Sequence, residues 1–273
     1  MTAGIVQTTT GLDRAANTAG LVRSVERLAA QGARIVFMPE MCGLLDRDPA
    51  RLKAAAQPEA EDPTLEALRK AAERTGVAIA VGSLAIRRDD GRLANRSFLL
   101  GPDGRIMARY DKIHLFDVDL PGGERIRESA SFAAGDRAVV AHLPWGGLGL
   151  SVCYDVRFPA LYRALAAAGA VVLAVPAAFT VPTGRAHWHV LVRARAIETG
   201  SFVVAAAQTG RHADGRETFG HALVVDPWGE VLLDMGEAPG EALVVLDLDR
   251  VAEVRRRIPA LAHARPFTAP AGL

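Results

Sequence analysis

The 273-residue chain is short of cysteine, of aromatic residues and of net charge, and each shortage closes off a class of protein. Two cysteines, Cys42 and Cys153, make neither a disulfide framework nor a CxxC pair. Thioredoxin-type chemistry is therefore not expected, and a reduced, cytoplasmic protein is. A formal net charge of +1 gives no long-range pull toward nucleic acid or an anionic membrane. The aromatics, 5% of the chain, are not interleaved with basic residues, and the one arginine run, 255–257, is short and reads as solvated. No apolar stretch approaches the roughly 18 residues of a membrane span. Met1-Thr-Ala-Gly leads into an apolar strand pattern with no basic or signal-like segment, so no signal peptide is expected. The Gly-Gly pairs at 122–123 and 146–147 lack the surroundings of a dinucleotide or phosphate loop. No nucleotide and no other cofactor are expected.

What is present is an alternation of strand and helix signals. "GIVQTT" (4–9), "ARIVFMPE" (33–40) and "VAIAVGSLAI" (77–86) read as strands. Between them, 13–31 reads as a helix capped by Asp13, with Leu21, Val25 and Leu28 on one face and Gly32 as its stop. A second helix, 63–75, lies between Pro63 and Gly76, after a Pro/Ala/Glu-rich loop. Two hairpins follow one pattern, 97–110 around Pro102-Asp103-Gly104 and 221–235 around Pro227-Trp228-Gly229, hinting at two like halves. Strands at 170–176, 202–208 and 241–249 and helices at 157–168 and 185–199 complete the set. No linker divides the chain, so 1–273 reads as one α/β domain, two sheets with helices on their outer faces.

Three ionisable residues stand at strand ends, where a rigid sheet holds catalytic groups. Glu40 ends "IVFMPE", Lys112 follows a hairpin arm in "RYDKIHLF", and Cys153 ends "LGLSVC" just before a charged turn. A thiol exposed at such a junction, beside free backbone N–H groups, makes a nucleophile if a base and a cation are near. Glu40 and Lys112 have the chemistry of base and cation. Each residue alone has a plainer reading: the cysteine as a small buried hydrophobe, the glutamate as a cap or ion-pair partner, the lysine as solvated. The residues by themselves go no further than a thiol hydrolase.

The segments "FMPEM", "RYDKIHLFDVDLPG" and "GLSVCYDVRFP", in that order, resemble the Glu, Lys and Cys segments of the nitrilase superfamily of carbon–nitrogen hydrolases, and the resemblance runs nearly end to end. Within it, "AHWHVLVRARAIE" and "GHALVVDPWGE" resemble the Nit branch, which includes the ω-amidases and the amidases of deaminated glutathione. Tyr154-Asp155 after the cysteine, where true nitrilases carry Trp-Glu, is similar to the amidase side, and "VVAAAQTGRH" (203–212) is closer to the deaminated glutathione amidases.

The resemblance implies a four-layer α-β-β-α sandwich and a homodimer or higher homo-oligomer paired through outer helices. It implies Cys153 as nucleophile, Glu40 as general base, Lys112 as stabiliser of the tetrahedral intermediate and Glu128 as an auxiliary carboxylate. The Tyr154 N–H would complete an oxyanion hole, and Arg157, Phe179 and Thr183 would line the substrate pocket. Arg157 suits a bidentate carboxylate contact, although an ion pair with Asp155 is an alternative, as is core packing for Phe179. The expected activity is hydrolysis of the ω-amide of a 2-oxo acid, of deaminated glutathione type, to the carboxylate and ammonia through a thioester. An ω-amidase on 2-oxoglutaramate and an N-carbamoyl amide hydrolase are alternatives. Outside this chemistry stand a non-catalytic binding module and a thiol redox sensor.

One departure is Arg185 in "GRAHW", where the branch commonly has proline at what reads as a helix start. His187 and His189 in "HWH" do not share a helix face, and with no third ligand in view no metal is expected. His114 and His221 read as hydrogen-bonded structural residues, and Cys42 as packing.

Overall fold

The computed structural model describes residues 1–119 and 125–268. The 122–123 glycine pair lies outside them. The strands are β1 Thr2–Gln7, β2 Ile35–Phe37, β3 Ala78–Arg87, β4 Leu93–Leu100, β5 Ile106–Asp111, β6 Asp117–Asp119, β7 Arg125–Arg127 and β8 Val139–Leu143. They continue as β9 Gly146–Leu150, β10 Ala170–Ala174, β11 Phe202–Ala205, β12 Thr209–Arg211, β13 Glu217–Phe219, β14 Leu223–Val225, β15 Val231–Asp234 and β16 Gly240–Val245. The α-helices are α1 Arg14–Ala30, α2 Pro49–Ala55, α3 Pro63–Thr75, α4 Pro159–Ala167, α5 Val181–Thr199 and α6 Asp249–Arg257.

Two six-stranded sheets carry the same plan. The first runs β16-β1-β2-β3-β4-β5 and the second β8-β9-β10-β11-β14-β15. In each, three parallel strands (β1, β2, β3; β9, β10, β11) are flanked by an antiparallel strand on one side and an antiparallel hairpin on the other. The two hairpins with like turns in the sequence occupy equivalent places. Short ribbons β6–β7 and β12–β13 are separate from both sheets.

Side-chain alternation builds the layers. On the first sheet Ile5, Ile35, Phe37, Ala80 and Leu99 face the second sheet, whose Leu148, Leu150 and Val203 share the same core. Their neighbours Val6, Val36, Ile79, Val81 and Phe98 point the other way, onto Leu21, Val25 and Leu28 of α1 and Leu65 and Leu68 of α3. Leu161 and Leu165 of α4 and Trp188 and Val192 of α5 cover the second sheet. The result is the expected α-β-β-α sandwich, with each fully buried aliphatic side chain contributing about 1.5–3 kcal/mol.

Helix boundaries follow local chemistry, with corrections, among them that the strand expected over 241–249 ends at Val245 and α6 starts at Asp249. Asp13 caps α1 by accepting from the Ala16 N–H, and Asp62 caps α3 through the Leu65 N–H, with Pro63 in its first turn. The loop after Glu40 contains α2, started by Asp48, which accepts from the Ala50 and Arg51 N–H groups. Helix α5 begins at Val181, with Pro182 in the first turn, so Pro182 supplies the pre-organised start and the exposed Arg185 lies a turn further on. In the 255–257 run Arg255 is not solvated: it donates to the Ala170 and Thr199 carbonyls, tying α6 to the second sheet.

Candidate active site

Glu40 is held by a bulge in the neighbouring strand. The β3–β4 register slips between Val81 and Leu84, and at Gly82 a Cβ atom would lie 2.1 Å from the Met38 carbonyl oxygen and 2.2 Å from that of Pro39. Only glycine lets the chain entering Glu40 pass so close. Ser83 then receives the turn: its Oγ accepts from the Met41 N–H at 2.9 Å and its carbonyl from the Cys42 N–H at 3.1 Å. Met41 takes a left-handed φ of 53°. Cys42 is fully buried, and burial pushes its thiol up to about 12, consistent with packing.

Lys112, one residue past β5, is 2% exposed. Its Nζ donates to Glu40 Oε1 at 3.0 Å and to Glu128 Oε2 and Oε1 at 2.8 and 3.1 Å. Asn95 on β4, absent from the sequence-based site, donates through Nδ2 to both carboxylates at 3.0 Å. The Phe116 N–H fixes Glu128 Oε2 at 2.7 Å. Burial works against the Lys112 charge, but Glu128, Glu40 and Cys153 outweigh it and hold the ammonium well above its ordinary pKa. Lys112 therefore remains a buried cation.

Cys153 lies three residues past β9, as the first residue of a short 3₁₀ turn, Cys153–Arg157, with a left-handed φ of 51°. It is buried, at 8% exposure, which corrects the expectation of an exposed thiol: the sandwich rim covers it. The turn is fixed by Asp155, fully buried and ringed by donors: the Tyr110 hydroxyl at 2.6 Å, the Val152 N–H at 2.8 Å, the His114 N–H at 3.0 Å and the His114 ring at 2.7 Å. Burial pushes the Cys153 thiol well above its ordinary range, the Glu40 charge adds to the rise, and Lys112 opposes it. Cys153 therefore rests as the thiol, facing Glu40. Among the described residues the Tyr154 N–H has no acceptor.

The guanidinium of Arg157 sits between two rings, 5.8 Å from Tyr154 and 5.5 Å from Phe179, with Nη2 3.3 Å from His187 Nδ1. No carboxylate pairs with it among the described residues, so the ion pair with Asp155 is not formed. Phe179 is buried against Trp188, and the Thr183 hydroxyl meets Thr180 Oγ1 at 2.8 Å in the first turn of α5.

Sequence reasoning missed Asn95, Asp155 and Gln208. Gln208 Nε2 donates to the Glu40 carbonyl at 2.9 Å and to Thr10 Oγ1 at 2.7 Å, joining the two sheets under the site. Asp155, two residues after the cysteine, carried the one available signal, a carboxylate placed to cap the turn. His114 and His221 are hydrogen-bonded as expected, each to an aspartate. The absence of a third ligand near His189 is overturned: the fold brings His221 and Asp234 to it.

Residues 2–256 match the carbon–nitrogen hydrolase family. A deaminated glutathione amidase of Synechocystis sp. is 43% identical over 243 residues, 88% of this chain and 89% of that one. The crystal structure of the Caenorhabditis elegans NitFhit protein superposes with a TM-score of 0.90 at 35% identity, over 97% of this chain and 65% of that chain. A mutant amidase from Nesterenkonia sp. AN1, in which acrylamide has undergone Michael addition to the active-site cysteine, gives 0.79 at 30% identity, over 94% of this chain and 99% of that one.

Proposed function

The chain belongs to the carbon–nitrogen hydrolase family, and from that premise we propose that it is a cysteine amidase acting on the ω-amide of a 2-oxo acid, of the deaminated glutathione type, as its Synechocystis relative is named. The observation that carries the reading is the meeting of Cys153 with the buried Glu40–Lys112–Glu128 cluster. Glu40 takes the Sγ proton as sulfur bonds to the amide carbon and the carbonyl pair moves onto oxygen. Lys112 and the Tyr154 N–H receive that oxyanion, each donor lowering the barrier by about 3 kcal/mol. The C–N bond breaks as Glu40 returns the proton to nitrogen. Water, deprotonated by Glu40, then adds to the thioester carbon; the C–S bond breaks, and Glu40 returns the proton to Sγ. Glu128 and Asn95 hold Lys112 and Glu40 in place throughout.

Arg157, stacked and with no carboxylate partner among the described residues, receives the 2-oxo acid end, and Phe179 and Thr183 shape the pocket around it. For a primary amide the leaving group is ammonia; for deaminated glutathione it is the amine of the remaining dipeptide, so both products must be followed. The test is turnover of deaminated glutathione, 2-oxoglutaramate, glutamine, an N-carbamoyl amino acid and an aliphatic nitrile by the wild type and Cys153→Ala. Dipeptide release from the first compound, faster than any other turnover and abolished in Cys153→Ala, is expected. Faster turnover of another amide replaces the substrate; turnover that survives in Cys153→Ala removes the mechanism.

Because both sheets contribute to one site, we read residues 1–273 as one hydrolase domain. Among the described residues no helix is long and apolar enough to cross a membrane; we place the protein in the cytoplasm. Val190 and Ile197, 69% and 54% exposed, lie two turns apart on α5. Gly229, next to the 48% exposed Trp228, abuts Ile197. This apolar strip supports pairing of copies through the outer helices.

A further inference from the structure

We propose that His189, His221 and Asp234 form a binding site for a divalent transition-metal ion of the Zn²⁺ class, outside the amidase site. The three come from separate elements: α5, the link between β13 and β14, and the end of β15. One donor atom from each lies within 4.8 Å of the others. His189 Nε2 is 2.9 Å from Asp234 Oδ2, and His221 Nδ1 is 2.8 Å from Asp234 Oδ1. Two imidazole nitrogens and a carboxylate oxygen are a donor set for Zn²⁺, Co²⁺ or Ni²⁺, and a poor one for Mg²⁺ or Ca²⁺, which take oxygen.

The surroundings hold the ligands. His221 has a left-handed φ of 55°. Its carbonyl accepts from the Trp188 indole at 2.8 Å, its N–H donates to Gly236 at 2.7 Å, and its ring stacks on Phe219 at 4.4 Å. The Phe219 ring also meets His189 edge-on. The Gly236 N–H donates to Asp234 Oδ1 at 2.9 Å. Such partners fix ring orientation around a metal. Zn–N and Zn–O bonds of about 2.0–2.1 Å put tetrahedral ligands ~3.3 Å apart, so donor atoms that already lie within 4.8 Å of one another need side-chain shifts of about an ångström to close on one ion. Each ring would meet the metal through the nitrogen that now faces Asp234, as the tautomer with its proton on the other ring nitrogen, and water would take the remaining position. All three residues are partly exposed, at 36%, 22% and 33% by side chain, which leaves an entry path.

The test is calorimetric titration of the full chain with Zn²⁺, repeated with Co²⁺ by visible absorption. Cys153→Ala is run alongside to exclude the thiol. One equivalent is expected to bind in both proteins. Affinity should fall roughly 100-fold in His189→Gln, whose amide keeps the hydrogen bond to Asp234 but ligates poorly, and likewise in Asp234→Asn. Melting temperatures of the metal-free variants show that they fold. Absence of saturable uptake overturns the proposal, and so does uptake unchanged by His189→Gln and Asp234→Asn.

Discussion

The two sheets are topological counterparts, yet their chemical groups are not. Three residues past β1 lies Thr10; three past its counterpart β9 lies Cys153. Three past β2 lies Glu40; three past β10 lies Ala177. At each of these two pairs of strand ends, one half thus offers a reactive residue where the other offers a quiet one. The thiol and the carboxylate meet because the sheets stack, and the hydrogen bonds from Tyr110 to Asp155 and from Gln208 to Glu40 cross from one half to the other. The repeated frame supplies rigid strand ends; the chemistry lies where the repeat is broken.

The sharpest test of that contrast sets the counterparts side by side. Cys153→Ala should lower kcat by at least about 10⁴-fold with the fold intact. Thr10→Ala should leave kcat within a few-fold and cost about 1 kcal/mol of stability, the hydrogen bond from Gln208. Comparable kcat losses in both variants would mean that the halves are not divided in this way. Next in size is Lys112→Met, which leaves Glu40 and Glu128 facing each other in a buried site. Urea unfolding should show a loss of about 3–5 kcal/mol, alongside loss of amide turnover.

A smaller effect tests the seam. Tyr110→Phe removes a 2.6 Å bond from the first sheet to the buried Asp155 beneath Cys153. A hydrogen bond to a charged acceptor contributes about 1.5–3 kcal/mol, so unfolding should shift by that amount. Iodoacetamide should also react faster with Cys153, because the turn that buries it loosens. Unchanged alkylation would show that the remaining donors to Asp155 suffice.

How much was legible depended on whether the signal was local. Helix α3 could be read to the residue because Pro63 and Gly76 bracket it, whereas α2 was overlooked although Asp48-Pro49 carries the same start signal. Glu40, Lys112 and Cys153 were visible as strand-end residues, but their meeting rested on resemblance, since nothing in the spacing encodes how two sheets stack. Asn95 and Gln208 act only across elements, and as ordinary polar residues on or just past apolar strands they carry no mark. The burial of Cys153 and the approach of His221 and Asp234 to His189 are likewise tertiary facts.

The least effect, and the one most specific to the quiet counterpart of Cys153, concerns His212. Its ring bridges the Thr10 carbonyl at 2.9 Å and the Thr218 hydroxyl at 2.7 Å, holding the counterpart of Cys153 against the β12–β13 ribbon. Burial lowers its pKa, with Arg216 adding to the fall and the Thr10 contact opposing it, so the folded protein keeps the imidazole neutral. The unfolded chain takes up that proton near pH ~6.5. Below that value the unfolded state binds more protons than the folded one, so stability is full above about pH 6.5 and is lost as the pH falls through the folded-state pKa. The slope from one such group is at most ~1.4 kcal/mol per pH unit. Unfolding measured between about pH 5 and about pH 7.5 should show this decline in the wild type and a flatter profile in His212→Gln, where no group titrates in that position. An equal slope in the two proteins would remove His212 as its source and leave the bridge to Thr10 a hydrogen bond without a pH signature.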